Sequence, residues 1–121
     1  MPNGGREDWL IELHQPAQSR EFNDALVESI DETITGLLSR EVANALHTHL
    51  LKVHAISRDE IPYRLETLFS TLEETFGLTS SKTIGKVIAR NLYAKLGLSF
   101  HDNPSRTLLE YVEEAKIKLR E

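Results

Sequence analysis

Three histidines lie close together in HTHLLKVH: His47, His49 and His54. Two imidazoles one helical turn apart can share a metal ion, as in the HExxH spacing. Here His47 and His54 share a helix face but stand two turns apart, ~10 Å along the axis. His47 and His49 point to different sides. The spacing predicts structural or surface histidines and no metal site. The chain has no cysteine, so disulfides, thiolate metal sites and cysteine nucleophiles are excluded. It carries no GxSxG elbow and no Gly-rich phosphate loop. Its lone serines fall at expected helix caps. The carboxylate pairs Glu73-Glu74 and Glu113-Glu114 are adjacent in sequence and diverge on a helix surface, which is poor geometry for acid–base work. No enzyme and no cofactor is expected from these residues. A small hydrolase or metal enzyme is only a remote alternative.

The cations are more suggestive. Net charge is −5, which argues against coating nucleic acid through bulk positive charge. Residues 21–38 carry Glu21, Asp24, Glu28, Asp31 and Glu32 with no base, whereas residues 77–100 carry Lys82, Lys86, Arg90 and Lys95 with no acid. Lys82, Lys86 and Arg90 recur every fourth residue, so a helix places them on one line. The apolar ladder Ile84, Ile88, Leu92 and Leu96 occupies most of the opposite side. This pattern predicts a basic stripe that recruits an anionic partner, an acidic protein surface before nucleic acid. A DNA-binding regulator using the basic helix 80–96 is the alternative, with Thr79, Ser80 and Ser81 near phosphates. The competing expectation is that the stripe pairs with the acidic helix of the same molecule.

Helices must position these groups, and the apolar spacing supplies them. Phe22, Leu26, Ile30 and Leu37 form a first stripe, widened by Val27 and Ile34, with Thr33 in its one gap. Gly36 predicts the end of that helix near Thr35. Ser39 reads as the next N-cap, followed by the stripe Val42, Leu46, Leu50 and Val53. Ser57-Arg58-Asp59-Glu60 matches a capping box, and Pro62 is expected at the first position of a third helix. Ile61, Leu65, Leu68, Phe69, Leu72 and Phe76 span only ~100° of that helix. Gly77-Leu78 and Gly97-Leu98 each fit a Schellman-type stop. A cap at Thr79, Ser80 or Ser81 opens the helix between them. Asn103-Pro104 marks the start of the last helix, striped by Leu108, Tyr111, Val112, Ala115 and Leu119. The expected fold is all-α, a compact bundle or orthogonal array of about five helices. Leu26, Leu46, Leu68, Leu72, Ile88, Leu92 and Val112 should lie in its core.

The 121 residues suit one domain. Residues 1–20 read as a tail punctuated by Pro2, Gly4-Gly5 and Pro16, and residues 21–121 as a single helical domain. Within the tail, Trp9, Leu10 and Leu13 would share a face in one helical turn. Trp9 is therefore expected to be an anchor, on its own domain or on a second copy. No apolar run approaches the ~20 residues of a membrane span, and MPNGGREDW lacks signal-peptide zones, so a cytoplasmic location is expected.

Several stretches together resemble a small archaeal helical family, the Nitrosopumilus output domain of the fifth type. They are ALVESIDETITGLL, ISRDEIP, LFSTLEETFG, IARNLYAKLGLSF and LLEYVEEA, about three-quarters of the chain. The resemblance implies an archaeal, cytosolic, all-helical output or interaction module in signalling, and it transfers no functional residue. Such domains often have Gly where this chain has Ala55. The expected function is a non-enzymatic regulatory domain that docks another protein or a second copy of itself. The wide first stripe, with Leu38 beside Val27 and Ile34, is expected to leave apolar surface for that interface.

Overall fold

A computed structural model describes residues 20–120. Among them are five α-helices, a 3-10 helix and no strand: α1 Arg20–Leu37, α2 Arg40–His54, the 3-10 helix Arg58–Tyr63, α3 Leu65–Phe76, α4 Leu78–Leu96 and α5 Leu108–Arg120. The fold is an all-α compact bundle. Its centre is the α1–α4 pair. Helix α2 and the 3-10 helix pack on α1, while α3 and α5 pack on α4 and on each other. Leu26, Leu46, Leu68, Leu72, Ile88, Leu92 and Val112 are all buried in one continuous core, as the stripes predict. Thr33 fills the gap in the first stripe because its hydroxyl accepts the Asn91 side-chain amide from α4 at 2.9 Å, joining the central pair.

Some expected boundaries hold. Ser39 caps α2, its hydroxyl accepting the Val42 N–H at 3.1 Å. Gly97 adopts φ 72°, ψ 24°, and the Leu98 N–H returns to the Tyr93 carbonyl at 2.9 Å, a Schellman stop. Ser57 and Glu60 bond as a capping box, with the Ser57 N–H and hydroxyl both donating to the Glu60 carboxylate.

Others differ. Helix α1 runs through Gly36 to Leu37, because that glycine does not take the left-handed conformation a stop needs. The left-handed stop lies instead at Ala55, φ 56° and ψ 37°, where the Ile56 N–H reaches the Leu50 carbonyl and Ile56 is buried. Pro62 does not open α3. It lies inside the 3-10 helix, and α3 begins at Leu65. A proline nitrogen has no hydrogen and its ring clashes with the carbonyl four residues back, so the chain winds tighter before the α pattern starts.

Gly77 is no Schellman stop: at φ 87°, ψ 168° it turns the chain directly into α4, whose first residue, Leu78, is exposed. Thr79, Ser80 and Ser81 thus lie in the first turn and do not cap it. Buried Ser81 donates its hydroxyl to the Leu78 carbonyl. Asn103-Pro104 makes a turn closed by the Arg106 N–H on the Asn103 carbonyl. Thr107 opens α5, with the Thr107 and Glu110 side chains each accepting the other's backbone N–H. Val53, Leu119 and Leu37 are exposed at the ends of their stripes. Ile34 joins the continuous core and Val27 is buried outside it, which leaves Leu37 and Leu38 as the exposed apolar end of α1. The surplus surface expected along α1 is thus confined to that end.

Candidate functional site

Helix α4 is buried along Ile84, Ile88, Ala89, Leu92 and Tyr93, and its solvent side carries the basic stripe. A Cβ at Gly85 would sit in ordinary contact with the neighbouring helices, 3.4 Å from that of Leu108 on α5 and 3.6 Å from the Phe69 ring on α3. Lys82 and Arg90 are exposed and, among the described residues, neither has an ion pair. Lys86 is half-buried and holds Asp102 of the α4–α5 loop at 3.2 Å.

The fourth cation of the helix behaves differently. Lys95 reaches Glu32 at 3.0 Å and Glu28 at 3.6 Å on α1. Its hydrogen bond to Glu32, then the two negative charges, raise its pKa. The pair is solvent-exposed, so it adds little to stability. The acidic and basic helices do meet, but through Lys95. None of Lys82, Lys86 and Arg90 engages Glu28, Asp31 or Glu32.

The α4–α5 loop that brings Asp102 to Lys86 is tied down by buried phenols. Tyr93 donates to the Tyr111 carbonyl at 2.7 Å and lies 3.3 Å from Glu114. Tyr111 donates to the Asn103 carbonyl at 3.0 Å and accepts the Asn103 N–H at 2.9 Å. Phe100 packs edge-on against Tyr93 and tilted against Tyr111. Burial, then the Glu114 charge, pushes the Tyr93 hydroxyl well above the usual phenol range. Helical spacing places Tyr111 in a stripe but does not show that its hydroxyl anchors the loop while that of Tyr93 joins α4 to α5.

His47 is the histidine with a polar role. Its Nε2 meets Asp31 at 2.5 Å, and Arg58 pairs with the other oxygen of the same carboxylate. This cluster clamps α1, α2 and the 3-10 helix together. His49 and His54 meet edge-on at 5.6 Å between ring centres. Among the described residues no three His, Asp or Glu side chains are grouped to hold a metal ion.

A groove between α2 and α3 has no counterpart among the expected sites. Ile34, Val42, Ala45, Leu46, His49, Thr71, Thr75 and Phe76 line about 240 Å³. Trp9, the remaining expected site residue, lies outside the described residues. No helix of the described residues is long and apolar enough to cross a membrane. Compared with family models, curated proteins and solved structures, the chain matches none.

Proposed function

We propose that this chain is a non-enzymatic regulatory or output domain of cytoplasmic signalling, linked to transcription or not, that docks an acidic surface of another protein through α4. The observation that carries this reading is the split among the cations of one helix. Lys95 is matched by α1, while Lys82 and Arg90 stay exposed and unpaired among the described residues of a chain of net charge −5. Local positive charge on an acidic protein favours a small, oriented contact, because the remaining surface repels polyanions. The resemblance to archaeal output domains supports the same reading.

The DNA-binding alternative has less to work with. Lys86 already holds Asp102, which leaves two cations of the stripe unpaired among the described residues and only weak, salt-sensitive attraction to phosphates. Fluorescence anisotropy with a mixed-sequence DNA duplex at physiological salt tests the choice. No saturable binding is expected. Tight binding lost in Lys82→Glu/Arg90→Glu would instead favour the DNA reader.

A further inference from the structure

Four surface depressions among the described residues include charged side chains. One gathers Arg20, Asp24, Glu28, Arg58 and Asp59; another Asp31, Glu32, Arg40, His47 and Arg58. The remaining two are edged by Arg64, Glu66, Glu113 and Lys116, and by Arg106, Glu110, Glu114 and Lys118. The α2–α3 groove is the exception, with no acidic or basic residue other than His49 in its lining. Filling it desolvates no Asp, Glu, Lys or Arg side chain, so an apolar side chain gains its full burial there. Thr71, on its wall, already donates its hydroxyl to the Thr67 carbonyl at 2.9 Å. Thr75 and His49, both exposed at the rim, offer acceptors for an indole N–H. The volume of about 240 Å³ falls short of the usual ~300–1,000 Å³ of small-molecule sites and suits one large aromatic side chain.

We propose that the chain's own segment 9–13 occupies this groove, with Trp9 as the inserted side chain and Leu10 and Leu13 against the apolar edges of α2 and α3. Length permits it. Trp9 precedes Arg20 by eleven residues, a reach of up to ~36–40 Å. The groove floor at Ile34 lies fourteen residues along α1, ~21 Å from Arg20. Tethering decides between this copy and another, because a short linker supplies an effective concentration on the order of mM. The inserted face matches the lining in kind: an aromatic with one polar edge meets an apolar trough with one polar rim.

Trp9 is the chain's single tryptophan, so the emission of the whole protein reports this site. The full chain should show blue-shifted emission, independent of protein concentration and shielded from acrylamide. Ala45→Arg/Thr75→Arg charges the rim at two exposed positions and should shift the emission to that of solvated indole, with several-fold stronger quenching. Thr48→Arg, exposed on α2 and not part of the groove, should change neither. Circular dichroism checks that each variant is helical.

Because the chain has no cysteine, a second measurement leaves the groove uncharged. Leu13→Cys/Thr75→Cys should oxidise to an intramolecular disulfide, and Leu13→Cys/Arg120→Cys should not. Solvent-like emission of the wild type, or blue emission that the rim variant retains, would overturn the proposal. So would a disulfide that forms only between molecules, or blue emission lost on dilution, either of which assigns the groove to a second copy's segment.

Discussion

The Tyr93 hydroxyl lies in the core and spends its proton on the Tyr111 carbonyl, with the Glu114 carboxylate beside it. Both burial and that charge oppose the phenolate. The fold therefore favours the neutral phenol, and this contribution is complete below the ordinary phenol value of 10.0 and is lost as pH rises above it. Denaturant melts should show stability falling from about pH 10 upward. Tyr93→Phe should flatten that fall while costing about 0.5–1.5 kcal/mol at neutral pH through the lost hydrogen bond. An unchanged alkaline slope in the variant would place the titration elsewhere. Ala55 tests the backbone in the same way. It holds φ 56°, a conformation that strains an L-residue and is free for glycine. Ala55→Gly should raise stability by about 0.5–1 kcal/mol in the same melts, and a loss would show that α2 does not end in this conformation.

At the scale of the helix, burial of the apolar stripes sets the outcome. Leu72 of α3 is fully buried, so Leu72→Ala should cost about 2–5 kcal/mol in a thermal or urea melt. A wild-type melt would remove α3 from the core. The cores of all five helices were legible in the sequence, because spacing along one helix decides which face is apolar. Helix ends were less so. Gly36, Gly77 and Asn103-Pro104 all have stop-or-start composition, yet Gly36 continues a helix, Gly77 turns straight into the next, and Asn103 makes a turn ahead of the Thr107 cap. Composition permits a conformation there; packing of the neighbouring helices selects it. The basic stripe was likewise legible as a line on α4. That Lys86 meets Asp102 and Lys95 meets Glu32 was not, since those partners come from residues 16 and 63 positions away. The groove was missed for the same reason, being shared by three helices.

For the whole molecule, the stripe and the fold should be separable. Exposed charges without ion pairs contribute little to folding, so Lys82→Glu/Arg90→Glu should keep its melt within about 1 kcal/mol per site. If the stripe instead supported the bundle, the same variant would lose stability and retain its partners. Lys82 and Arg90 are proposed to dock an acidic protein partner. The most direct measurement of this docking is affinity capture from a native cell extract, with the retained proteins quantified by mass spectrometry. Three baits are compared: wild type, the charge-conserving Lys82→Arg/Arg90→Lys, and Lys82→Glu/Arg90→Glu. An acidic protein should be held by the first two at low salt and released as salt rises, exposed charges being screened beyond ~8–10 Å at physiological ionic strength. That protein should be absent from the third bait and should rebind the wild type when purified. The same proteins retained equally by all three baits would contradict docking through Lys82 and Arg90.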